Sequence, residues 1–230
     1  QQLMLGVGAK KKTYVDDVFS TYVKSFNHST NIVNNIDLAG EGGLVWTKIR
    51  ENTDSHYLAD TVNGVNKTLM SNSANALANN SYAISAFNNN GFTYNDGYGG
   101  PKDYATWTFR KAPGFFDVVT FNTGSPASTN QRISHSLGCV PGFIVLKKLN
   151  SAEDWAVYHR GIGGNGYLRL NKTDAGGVGG ITFFDPTATD FGFNAATWTG
   201  SNADFVAYLF AGGESTQNEA VSVDFDGSGD

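Results

Sequence analysis

The residues of this chain best suited to acid–base, nucleophilic or metal chemistry are His28, His56, His135 and His159, the single Cys139 and a scatter of carboxylates. No two histidines stand at the His-x-x-x-His or His-x-His spacing that turns two imidazoles toward one metal ion. Asp16 and Asp17 are adjacent, but chain neighbours point in different directions and make a poor general acid–base pair. Cys139 has His135 four positions away in a turn-rich segment, which is not how a catalytic thiol and its base are held. No Gly-x-Ser-x-Gly elbow occurs, and Gly6-Val7-Gly8-Ala9 lacks the preceding strand and third glycine of a dinucleotide fingerprint. The chain reads as non-enzymatic, with no cofactor.

Weaker signals point to binding. Asp224-Phe225-Asp226-Gly227-Ser228-Gly229-Asp230 places oxygen side chains at alternating positions, like the first half of a calcium loop. The strand-like flank Ala220-Val221-Ser222-Val223 makes a hairpin turn the alternative for Asp224, Asp226 and Asp230. Trp46, Trp155, Tyr158 and Trp198 would stack on sugar rings if exposed. Core packing is the competing reading for such aromatics on strongly β-patterned runs.

Those residues must be positioned by strands. The 230 residues include 28 Gly, 23 Asn and 20 Thr but only 5 Pro and 2 Met, a mix that suits short strands joined by tight turns. With 16 Lys and Arg against 21 Asp and Glu, the formal charge is −5, the wrong sign for binding a phosphate backbone, so no nucleic acid is expected. Lys10-Lys11-Lys12 is a short solvated patch, and the sequons at Asn27, Asn66, Asn79 and Asn171 follow from composition. Leu3 to Ala9 is too short for a membrane span and has its lysines on the wrong side for a signal peptide, so no membrane insertion is expected. The start at Gln1 without Met reads as a trimmed end.

An internal repeat organises the chain. Gly43–Arg50 matches Gly142–Leu149 at an offset of 99, and the same offset brings Leu58 to Val157, Gly64 to Gly163, Leu69 to Leu168 and Asn72 to Asn171. At an offset of 101, Gly91-Phe92 meets Gly192-Phe193 and Tyr104–Phe109 meets Phe205–Phe210. Strands are predicted over 43–50, 55–59, 67–71, 82–87 and 104–110, and again over 142–149, 154–159, 166–170, 180–184 and 204–211. Phe115–Phe121 reads as a linking strand between the copies, and Asp174–Gly180 as a flexible loop tip. The expected fold is all-β, with duplicated antiparallel β-sandwich-like units and an N-terminal arm. The expected boundaries are an arm over 1–40, a first repeat over 41–114, a linking strand and second repeat over 115–213, and a linker with the start of another domain over 214–230.

The opening Gln2-Leu3-Met4-Leu5-Gly6-Val7-Gly8 and Thr13–Thr21 resemble the start of virion structural proteins of marine tailed bacteriophages. Gly43–Lys48, Ser85–Phe92, Trp107–Ala112, Ile133–Gly138 and Pro141-Gly142 are similar to the same group. Lys24-Ser25-Phe26 departs from that pattern, which expects Tyr-Lys-Gly. Val221–Asp230 is similar to the first strand of concanavalin A-like or laminin G-like domains, so the chain is expected to continue past Asp230. The resemblance implies a tail-fibre or similar appendage protein of the virion, with capsid decoration as an alternative, while Trp46, Trp155, Tyr158 and Trp198 offer a carbohydrate-binding module as another. Its implied partners are other virion proteins, further copies of itself in a homo-oligomer such as a trimer, and a host surface glycan. Tyr14, Val15, Val18 and Phe19 are the docking candidates, an apolar stripe outside either repeat that needs a covering surface. Packing on its own β domain is the alternative for that stripe.

Overall fold

The computed structural model describes residues 13–97, 100–127, 130–163, 166–178, 183–184, 186–194 and 200–212. The structure is 50% strand and 4% helix, with antiparallel sheets and no barrel, as an all-β sandwich-like fold requires. A four-residue helix α1 (Val15–Val18) precedes the first strand.

The first nine strands are β1 (Phe19–Phe26), β2 (Ser29–Val33), β3 (Gly43–Ile49), β4 (Tyr57–Asp60), β5 (Lys67–Met70), β6 (Ala78–Asn79), β7 (Ile84–Asn88), β8 (Gly91–Asn95) and β9 (Lys102–Arg110). The next nine are β10 (Phe116–Asn122), β11 (Gln131–Ser134), β12 (Pro141–Lys148), β13 (Ala156–His159), β14 (Gly166–Arg169), β15 (Gly177–Val178), β16 (Phe183–Phe184), β17 (Asp190–Phe193) and β18 (Asp204–Ala211). The long sheets run β1-β9-β3-β4-β5-β6 and β10-β18-β12-β13-β14-β15, and the short ones β2-β8-β7 and β11-β17-β16. Adding nine to each label of the first copy reproduces the second. The duplication therefore spans nine strands per copy, more than the repeated blocks of sequence suggest.

This corrects the expected arm. Residues 19–26 form β1, paired with β9 over its whole length from Phe19↔Phe109 to Phe26↔Lys102. Strand β10, expected as a linker, pairs with β18 from Phe116↔Phe210 to Asn122↔Asp204 and holds the same place in its copy. An edge strand is fixed by backbone hydrogen bonds on one side, so β1 and β10 keep their place with almost no shared side chains. The tract expected as a loop tip contains β15, paired with β14.

Equivalent positions agree in geometry as well as order. Gly64 and Gly163 both turn the chain at positive φ, +87° and +71°, where a side chain is disfavoured. In β9 polar and aromatic residues alternate with the polar set inward: Thr106 and Thr108 are buried while Trp107 and Phe109 are half-buried. The hydroxyls are satisfied, Thr106 donating to the Tyr22 carbonyl at 3.3 Å and Thr108 accepting from the Asn34 amide at 2.9 Å.

The described chain divides into two compact units. One comprises 13–67 and 80–110, the other 68–79 and 111–212. The core of the first gathers Phe26, Ile32, Ile36, Leu38, Val45, Ile49, Phe92, Tyr94 and Tyr104. In the second the core aromatics are Tyr158, Phe183, Phe191, Phe193 and Phe205, with Ile144, Leu146 and Leu209 among them. Each fully buried ring of this kind contributes about 2–3 kcal/mol by leaving water.

Candidate functional site

The first unit contains a cavity of about 210 Å³ lined by Ile49, Tyr57, Asn80, Tyr82, Tyr94, Asp96, Gly97 and Tyr104. Ile49 ends β3, Tyr57 starts β4, and Tyr94 and Tyr104 come from β8 and β9. Strands from both sheets thus set its floor. Tyr104 donates its hydroxyl to Asp96 Oδ1 at 3.0 Å, and both residues are buried. The Tyr104 ring stacks on Phe26 at 4.6 Å, and Tyr94 packs against both, 5.1 Å from Tyr104 and 5.2 Å from Phe26. Burial pushes the Tyr94 phenol up to about 12. Burial, then the neighbouring Tyr94, raises Tyr104 above its ordinary value. Both phenols stay neutral near pH 7 and act as hydrogen-bonding hydroxyls.

The exposed part of the lining is built differently. Tyr82 is 60% exposed, yet its ring is held in place. A Cβ on Gly97 would lie 2.5 Å from the Tyr82 Cγ and 2.8 and 2.9 Å from its two Cδ atoms, the distances of an approach onto the ring face. One face of Tyr82 therefore rests on the Gly97 backbone. The Tyr82 backbone N–H donates to Asn80 Oδ1 at 2.9 Å, fixing the chain between these two lining residues.

The second unit replaces this chemistry with apolar contact. By the shared register, Tyr104 corresponds to Phe205 and Tyr57 to Ala156. Phe205 stacks on Phe121 at 5.3 Å and meets Phe193 edge-on at 5.5 Å. Its polar centre is instead structural: the fully buried Lys147 donates to the carbonyls of Ala74, Lys148 and Glu153 at 3.1, 3.0 and 2.9 Å. Lys48, its counterpart, donates to the carbonyls of Ile49 and Asn52 from a half-buried site.

The glycan-stacking candidates fare unequally. Trp155 is fully buried, stacks on Tyr208 at 6.3 Å and donates Nε1–H to the carbonyls of Met70 and Ser73, so no sugar reaches it. Tyr158 is likewise buried, against Phe183. Both are core residues: the core-packing reading holds for Trp155, and the stacking candidacy of Trp155 and Tyr158 is corrected. Trp46 is half-buried, edge-on to Trp107, with its Nε1–H given to His56 Nδ1 at 3.2 Å. Trp198 lies outside the described residues, as do Asp224, Asp226 and Asp230.

The docking stripe also divides. Tyr14 and Val15 are 63% and 54% exposed. Val18 is buried and Phe19 lies 4.9 Å from Phe109, so these two pack on their own unit, a correction to the expected stripe. Among the described residues no group of three or more His, Cys, Asp or Glu could hold a metal ion, and no helix is long and apolar enough to cross a membrane. Burial lowers the His135 pKa, against the opposing pull of Asp117. That carboxylate accepts from the Ser136 N–H at 2.6 Å and pairs with Lys111 at 3.0 Å, an arrangement that joins chain segments.

The sequence alone does not single out Tyr57, Tyr82, Tyr94, Asp96 or Tyr104. The available signal is the mismatch between copies, a tyrosine facing an alanine or a phenylalanine at equivalent inward positions. No curated protein and no solved structure matches the chain. A family model described as a domain of unknown function, DUF7483, matches residues 15–216, and the chain belongs to that family.

Proposed function

We propose that this chain is a non-enzymatic structural protein of a phage virion, a tail-fibre or appendage component that carries a host-adhesion function. The duplication supports this reading: two tandem copies of one connectivity, one with a polar-lined cavity and the other with an apolar cluster at the equivalent place, suit a body that both spaces and presents. The resemblance of Thr13–Thr21, Gly43–Lys48 and Ile133–Gly138 to phage structural proteins supplies the setting. Tyr14 and Val15 are the remaining docking candidates because they are the exposed members of the stripe.

The test is to locate the protein in purified particles by mass spectrometry and gold-labelled antibody. Label on the tail appendage is expected. Label on the capsid lattice would make it a head decoration protein, and absence from the particle would overturn the reading. Replacing Tyr14 and Val15 by Ser should reduce incorporation while leaving the fold intact. Deleting 1–26 is not the equivalent test, because it removes β1 and the buried Phe26. A carbohydrate-binding module is the second reading, favoured by the tyrosine-lined cavity.

A further inference from the structure

We propose that the cavity of the first unit binds one ring of a neutral pyranose sugar, with Tyr82 as the stacking platform and Asp96 and Asn80 as hydrogen-bonding groups. This deepens the adhesive part of the proposed function by naming a ligand class and a site for it.

Charge narrows the class first. Among the described residues, one carboxylate and no Lys, Arg or His line the cavity, so phosphate, sulfate and acidic sugars meet repulsion without a compensating cation there. Shape narrows it further. A volume of about 210 Å³ is below the range that encloses drug-sized molecules, and suits a single ring. The walls are amphipathic in the way a sugar is. Tyrosine rings and Ile49 meet C–H faces, while phenol hydroxyls, an amide and a carboxylate meet hydroxyls.

The platform is preorganised. Gly97 covers one face of the Tyr82 ring and the residue is 60% exposed, which leaves the opposite face as the open one. Tyr104 orients Asp96 through its 3.0 Å hydrogen bond, and a carboxylate held in that way accepts hydroxyl donors from a ligand. An organic cation would need several open ring faces around it. Here Tyr104 is stacked on Phe26 and Tyr94 is packed against both, which leaves too few faces for a cage.

The experiment titrates the intact 230-residue chain with the methyl glycosides of glucose, galactose, mannose and N-acetylglucosamine, followed by NMR, with choline and inorganic phosphate as counter-probes. Saturable binding of at least one neutral glycoside is expected, with the largest perturbations at Tyr57, Tyr82 and Asp96. Tyr82→Ala should weaken it at least about tenfold, the loss expected for one stacking ring. Because Tyr82 is exposed, that variant keeps its fold even if Asp96→Asn does not. Silence from all four glycosides, tighter binding of choline or phosphate, or sugar binding indifferent to Tyr82→Ala would each overturn the proposal. Virion location is read separately: a sugar-blind protein found in particles sinks only this inference, and a sugar-binding protein absent from particles sinks only the virion reading.

Discussion

The two copies have one strand order but put their aromatic residues to different use. At the inward position of the last long strand the first copy has Tyr104, bonded to Asp96 and stacked on Phe26. The second has Phe205, stacked on Phe121 and enclosed with Phe183, Phe191 and Phe193. A phenol needs a partner when buried and a phenyl ring does not, so the Tyr104-to-Phe205 difference, with Tyr57 against Ala156, accompanies a polar-lined cavity in one copy and an apolar cluster in the other. Connectivity is thus satisfied by very different interiors, and function can enter at one copy without disturbing the other.

The sharpest way to break the comparison is at the lysine both copies share. Lys147→Ala leaves the carbonyls of Ala74, Lys148 and Glu153 without their donor and should cost about 3–5 kcal/mol in chemical denaturation. Lys48→Ala, at a half-buried site, should cost about 1 kcal/mol. Equal losses would show that burial does not distinguish them. Burial lowers the Lys147 pKa from 10.5 to about 8, against the opposing pull of Glu153 and Asp154. Between those values the unfolded chain holds a proton that the folded lysine has released, so stability should rise with pH across that window. A denaturation series in Lys147→Met should lose that rise.

Exchanging the hydroxyl tests the interiors directly. Phe205→Tyr puts a phenol into an all-apolar site and should cost about 1–3 kcal/mol. Tyr104→Phe removes the donor to Asp96 and should cost about 2 kcal/mol, since the acceptor is a carboxylate. If either swap is neutral in thermal denaturation, the interiors are less specialised than their contacts imply. A last pair of substitutions falls where the copies agree. Gly64→Ala and Gly163→Ala meet no atom within 4 Å, so each should cost only backbone strain, about 1–3 kcal/mol, with Gly163 at φ 71° and ψ 177° in a region essentially reserved for glycine. A marked inequality between these two glycines would show that the turns are not equivalent.

Much of the fold is legible in sequence because the repeat repeats its constraints. Gly64 and Gly163 mark the same turn, and the block from Gly43 and that from Gly142 become β3 and β12. Strand β1, and its equivalence to the strand read at 115–121, escape notice because an edge strand asks little of its side chains beyond β-forming character. The inward face of β9 escapes for another reason. Thr106 and Thr108 look solvent-facing beside Trp107 and Phe109, and only their hydrogen bonds to Tyr22 and Asn34 make their burial affordable.

The sequence by itself determined the strand-rich class, the duplication and the turns. These follow from local propensity and from spacing, which a one-dimensional pattern carries. Tertiary structure alone decided that Trp155 and Tyr158 are core, that Tyr14 and Val15 are exposed, and that Tyr57, Tyr82, Tyr94, Asp96 and Tyr104 line one cavity. Those outcomes depend on which strands become neighbours across two sheets, and no single strand's sequence records its neighbour.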